Sequence, residues 1–291
     1  MLNQISGMMN YNVMKQTKPF YTLLALLTAC AVLTACSDDE ETSPQVKTFQ
    51  MTVDATKQVD VNMSRPRRAL SLDGSTLNAS WATTEHVYVQ GTLESNGEKF
   101  WFNGSLKPMS AGTTTRLNGA VSLPDGWAIS IDEAIGDPHI LTLQFPRKEV
   151  DYTDQKGTLA DIAANYDYAI ATGVHYDIVG NHIEGTTTAD FENLQAIVKF
   201  NLIDKANGTD MLNPTALTVN YDSGIIELTD IPDATYSTNG NGVLFVAIPG
   251  FSDKTVKLTA TVGNDTYTFT KKDVTFTDGK YYEINVKMKK N

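Results

Sequence analysis

The stretch AIVKFNLID, residues 196–204, puts Val198, Phe200 and Leu202 on one side of an extended chain and Lys199 and Asn201 on the other. Side chains of a strand alternate with a period of two, so the pattern is that of a strand with one face in a core and one in water. Runs on either side repeat it. Leu217, Val219 and Tyr221 alternate, as do Val256, Leu258, Ala260 and Val262, and Tyr267 and Phe269 after a Gly263-Asn264-Asp265 turn. Gly242 to Ile248 is a further apolar run, and Tyr282, Ile284, Val286 and Met288 share one face of the last strand. Upstream, Val87-Tyr88-Val89 and Phe100-Trp101-Phe102 flank Asn96-Gly97, a dipeptide that tolerates the positive φ angles of a tight hairpin. Pro124-Asp125-Gly126 reads as a turn and Ile140 to Phe145 as a strand. One short helix is expected, in GTLADIAANYDY (157–168), where Leu159 and Ile162 are three apart and Thr158 can cap. Short alternating runs between turn dipeptides predict an all-β chain of antiparallel sandwiches.

The first residues read differently. Lys15 and Lys18 precede an apolar run from Phe20 to Leu33, which is short of the roughly 20 apolar residues a bilayer span needs and has the form of a secretory signal. Residues before Met14 have no part in this scheme, so Met14 is an alternative start. Leu-Thr-Ala-Cys occurs twice, ending at Cys30 and at Cys36, and both copies resemble the signal of a bacterial lipoprotein, whose cysteine becomes the acylated first residue. Cys36 is expected to be lipidated, because it follows the whole apolar run and is followed directly by Ser37-Asp38-Asp39-Glu40-Glu41. These are the two cysteines of the chain, so the mature protein would have no thiol for a disulfide, a metal thiolate or a nucleophile.

A 291-residue chain with 23 Lys+Arg, 34 Asp+Glu, a net charge of -11 and a pI near 4.8 is poorly suited to nucleic-acid phosphates. The expected mature length, about 255 residues, is about twice that of a typical domain. The polar segment Glu184 to Asp190 lacks apolar anchors and reads as a boundary. The organisation expected is a signal peptide over 1–35, an acidic lipidated linker over 36–44, an N-terminal sandwich over 45–185 and a C-terminal sandwich over 186–291.

No catalytic constellation is legible, and the chain reads as a non-enzyme without metal or cofactor. His86, His139, His175 and His182 are scattered, with no close metal-ligand spacing. Gly-x-Ser-x-Gly, Walker and dinucleotide motifs are absent from the sequence. Asp132-Glu133 and Asp38-Asp39 read as solvated acids, and Asn239-Gly240-Asn241-Gly242 as a loop. Trp81, Trp101, Phe102 and Trp127 could stack on sugars, although sandwich cores use aromatics too.

Four stretches in order, RRALSLDGSTLNASWATTEHVYVQG (67–91), KGTLADIAANYDYAIATG (156–173), FENLQAIVKFNLIDK (191–205) and DGKYYEINVKMKK (278–290), resemble the fimbrillin-like lipoproteins of Bacteroidetes. The resemblance implies two transthyretin-like, Greek-key sandwiches forming a structural subunit of surface fimbriae at the outer membrane, active in adhesion. The acids behind Cys36 resemble the surface-export signal of such lipoproteins, with a solvated linker as the alternative. The partners implied are other fimbrial subunits, the outer membrane through the lipid, and an Arg-specific protease that removes the N-terminal segment and opens a groove for a strand of another subunit.

The residues supply candidates for each step. In QVKTFQMTVDA (45–55), Phe49, Met51 and Val53 alternate with Gln50 and Thr52, marking the strand to be displaced. Arg65-Pro66-Arg67-Arg68 follows in a polar segment. Pro66 protects the bond after Arg65, so Arg68 is the better scissile position and Arg67 the second. The donor candidate is the last strand, through Tyr282, Ile284, Val286 and Met288. The alternatives are an ordinary basic loop, a last strand that stays at home, an uncleaved fimbrial anchor, and a surface glycan-binding lipoprotein of a polysaccharide-uptake system.

Overall fold

The computed structural model describes residues 48–57, 70–73, 76–93, 96–125, 139–222 and 224–291. The strands of the first half are β1 (Thr48–Lys57), β2 (Leu70–Asp73), β3 (Thr76–Ala79), β4 (Tyr88–Thr92), β5 (Lys99–Trp101), β6 (Asn103–Gly104), β7 (Lys107–Pro108), β8 (Thr114–Ser122), β9 (Ile140–Phe145), β10 (Ala169–Val179), β11 (His182–Gly185) and β12 (Ala189–Asn193). Helix α1 (Leu159–Asn165) lies between β9 and β10 in the chain. The second half contains β13 (Ala196–Asp204), β14 (Ala216–Tyr221), β15 (Gly224–Leu228), helix α2 (Asp233–Asn239), β16 (Val243–Ile248), β17 (Phe251–Val262), β18 (Asp265–Phe276) and β19 (Tyr281–Lys290).

The all-β reading is what the structure has: a ten-stranded sheet from the first half, a seven-stranded sheet in the order β15-β14-β17-β18-β19-β13-β16, and the small β2-β3 hairpin. Each large sheet encloses its own core. Phe49, Met51, Val53, Trp81, Phe102, Leu117 and Phe191 belong to the first, and Val198, Phe200, Leu202, Leu217, Leu258 and Val286 to the second. Local sequence explains many of the elements. The β4-β5 hairpin turns at Gly97, whose φ is +72°, with the Asn96 side chain accepting from the Glu98 N–H. Thr158 caps α1 by accepting from Asp161 N–H at 3.1 Å, and Ile162 is the buried residue of that helix. In β16 all six residues are buried, so a strand covered on both faces has no alternation to read.

Three features lay beyond the sequence, the first being α2, a second short helix where one was expected, which takes in Asn239 of the expected loop. β12 follows the division expected after residue 185 and yet pairs with β1 and β10, so the hydrogen bonding passes from one sheet to the other around Leu194 and Gln195. Residues 146–168, from the first half of the chain, pack onto the second core through Tyr152, Ile162 and Tyr168. Gln155, buried in this strap, donates to the carbonyls of Tyr152 and Ala247 and accepts from the Ala247 N–H, while Phe245 N–H donates to the Gly157 carbonyl. The described residues from Thr48 onward accordingly fall in one contact unit that holds two cores, in keeping with the two sandwiches expected.

Candidate functional site

The strand singled out as the one to be displaced, β1, is an interior strand with neighbours on both edges. It is antiparallel to β8 from Thr48↔Ser122 to Thr56↔Thr114, and parallel to β11 (Gln50↔His182 to Thr52↔Glu184) and to β12 (Ala55↔Ala189 to Lys57↔Phe191). Every one of these partners lies far along the chain. Phe49, Met51, Val53 and Ala55 point inward, each at most 1% exposed. The outward face is polar and cross-linked: Gln50 donates to Asn118, Thr52 to Glu184, and Thr56 to Asp190, while Arg116 pairs with Glu184. The hydrogen bond from Thr52 first, and the one with His182 next, hold the Glu184 carboxyl below the usual range.

The fifth inward position of β1 is not apolar. Lys57 Nζ is buried 2.9 Å from Glu85 and 3.4 Å from Asp167, and its ammonium lies 4.6 Å from the ring centre of Trp81 and 4.5 Å from that of Phe145. Trp81 in turn meets Phe191 edge-on at 5.1 Å. Burial pushes the Glu85 carboxyl above its ordinary value, and Lys57 and the Ala82 N–H pull it back. An unpaired charge is costly in such a place, so each acid depends on the cation and the cation on the acids. Sequence reading passed over this lysine. The signal that could have found it is its spacing, two residues beyond Ala55 on the face that Phe49, Met51 and Val53 share.

The candidate donor is β19, parallel to β13 from Ile197↔Tyr281 to Asp204↔Met288. Its other edge pairs with β18 at Tyr267↔Lys290 and Thr268↔Lys289. Val286 and Met288 are fully buried in the second core, whereas Tyr282 and Ile284 are half-buried. β1 and β19 are thus in separate places, one per core. Arg67 and Arg68, Cys36 and the rest of the first 47 residues, and Trp127 lie outside the described residues.

The residues weighed for other chemistry divide plainly. Trp81 and Phe102 are fully buried in the first core, which removes them as a sugar platform, while Trp101 is partly exposed with Arg147 5.1 Å from its ring centre. His182 contacts Thr52 and Glu184, and His86 contacts Ser105. Among the described residues no group of His, Cys, Asp or Glu has a metal-holding arrangement, and no helix is long and apolar enough to cross a membrane.

Several solved structures are similar to this one. The likeness is one of fold. A protein assigned to cell adhesion from Bacteroides ovatus is 16% identical over 83% of this chain and 94% of its own, with a TM-score of 0.43. A fimbrial assembly protein from Parabacteroides distasonis is 13% identical over 82% of this chain and 90% of its own, TM-score 0.35. A shaft pilin from Lactobacillus rhamnosus GG is 10% identical over 82% and 97%, TM-score 0.31. No protein-family model and no curated protein matches the sequence.

Proposed function

We propose that this chain is a structural subunit of surface fimbriae, exported as a lipoprotein acylated at Cys36, matured by an Arg-specific protease at Arg68 or Arg67, and polymerised by exchange of β1 for a strand of another subunit. The observation that carries the reading is the seat of β1, whose ladders all run to distant segments of the chain. A cut after residue 67 or 68 would therefore leave β1 held by non-covalent contacts alone. Three or four buried apolar side chains hold such a strand by about 5–12 kcal/mol before ordering entropy is subtracted. While tethered, β1 competes at an effective concentration of about millimolar or more, which a dilute partner cannot match. After the cut, a donor with the same period competes on equal terms, and removal of β1 exposes the backbone edges of β8, β11 and β12 beside apolar pockets. Head-to-tail exchange of this kind is open and propagates a filament. No step of this function calls for catalysis.

Limited digestion of the mature chain with an Arg-specific protease, followed by intact mass and a non-boiled denaturing gel, tests the reading. Cleavage confined to Arg67 or Arg68 with a ladder of detergent-resistant oligomers is expected. Cleavage without a ladder would point to a tip position that accepts a strand and donates none. Resistance at those bonds would overturn the maturation step and favour an uncleaved anchor.

A further inference from the structure

Resting on the strand-exchange reading, we infer that the Glu85–Asp167 pair is a register lock that selects the incoming strand by a cation at its last inward position, and that the occupant is β19 of a second copy of this chain, with Lys290 taking the place of Lys57. β1 presents inward Phe49, Met51, Val53, Ala55 and Lys57. β19 has on one face Tyr282, Ile284, Val286, Met288 and Lys290, so an aromatic ring leads, three apolar side chains follow and a lysine closes the row at the same spacing in both ten-residue strands. Of the 23 Lys and Arg in the chain, Lys57 and Lys290 are the two preceded by an apolar residue at the second, fourth, sixth and eighth places before them.

Neighbour polarity also matches. β1 is antiparallel to β8 and parallel to β11 and β12, and β19 is antiparallel to β18 and parallel to β13, so β19 can enter the groove in the direction it already uses. At home Lys290 spends its charge on an exposed pair with Asp265, where a cation contributes little. In the groove the same ammonium would meet two acids that are 10% exposed or less once Lys57 has gone. Without a cation, the groove would keep two buried carboxylates unpaired, so a strand shifted by two residues or ending in a neutral side chain is rejected even when its apolar period fits. On the outward face Lys289 would come beside Asp190, where Thr56 sits now, and Lys287 would face Arg116 in place of Asp54. These two contacts oppose each other, which leaves the buried lysine to set the register.

The test uses the mature chain with a viral-protease site in place of Arg65–Arg68, so that the cut does not depend on an Arg-specific enzyme. After cutting, synthetic peptides of residues 281–291 carrying wild-type sequence, Lys290→Met or Lys290→Arg compete with β1, and bound peptide is read by intact native mass. Wild-type and Lys290→Arg peptides are expected to replace β1, and Lys290→Met to bind about a hundredfold more weakly. A second acceptor, Glu85→Gln with Asp167→Asn, is expected to take the Lys290→Met peptide in preference to the wild-type one. Equal binding of wild-type and Lys290→Met peptides to both acceptors overturns the lock and leaves strand exchange standing. Failure of the wild-type peptide to enter either acceptor overturns β19 as the donor and the lock with it.

Discussion

Lys57 places an ammonium group where 1% of its side chain reaches water, between two carboxylates and two aromatic faces. Removing one partner of a buried ion pair typically costs about 3–5 kcal/mol, because the remaining charge is left unpaired, so Lys57→Met is expected to lose that much in urea unfolding near neutral pH. The loss should depend on pH in a definite sense. Glu85 has its folded-state pKa raised above the ordinary 4.5, mainly by burial, so the folded chain holds this proton more tightly than the unfolded chain. Stability from that group is present below the unfolded value and falls as pH rises through the folded one. Lys57→Met removes a charge that draws this pKa down, which lifts it further, and the deficit of the variant should therefore shrink as the pH is lowered from about 7 toward about 5. A deficit independent of pH would mean that the acids do not need the lysine. Glu184, on the neighbouring strand β11 and facing the outer side of β1, behaves in the opposite sense: its folded-state pKa is lowered, chiefly by the hydrogen bond from Thr52, so its contribution is present above the ordinary value and lost on acidification through the folded one.

At the level of elements, β1 and β19 look alike in sequence and differ in how they are held. Met51 is fully buried in β1, and truncating it in a packed core typically costs about 2–5 kcal/mol. In the uncut chain, Met51→Ala should lower stability by that amount, and in the cut chain it should also speed the release of the N-terminal segment that carries β1, followed by intact mass over time. β19 permits a finer separation. Tyr282 is half-buried in its own sheet, whereas at the seat of Phe49 it would be enclosed. Tyr282→Ala is thus expected to lower thermal stability modestly while sharply reducing oligomer formation, and Met288→Ala, fully buried at home, should reduce both. If both substitutions lowered stability and oligomers in the same proportion, β19 would be acting only as the last strand of the second core.

At the level of the whole molecule, the strap over residues 146–168 binds the first half of the sequence into the second core. A fragment beginning at Gln195 lacks Tyr152, Ile162 and Tyr168 and leaves apolar surface uncovered, so it is expected to give broad, poorly dispersed amide signals by NMR. Adding a peptide of residues 146–168 to that fragment should restore dispersion if the strap is what completes that core. Much of this architecture was legible from residues 196–204 and their neighbours, because a strand half in water announces itself by alternation, and Asn96-Gly97 and Thr158 act within a few residues of themselves. Three things were not legible. β16 is covered on both faces and shows no period. The passage between sheets lies beyond the polar segment at 184–190, because β12 finds its partners in β1 and β10 through long-range pairing. Lys57 reads as a strand-ending surface residue until Glu85 and Asp167, 28 and 110 positions away, are brought against it. The sequence by itself determined an all-β chain, its hairpin and helix cap, and the period of its first and last strands, since those rest on neighbours along the backbone. Only the tertiary structure decided that β1 is an interior strand of the first sheet and that its last inward residue is a paired charge, because burial and ion pairing depend on segments the chain brings together from a distance.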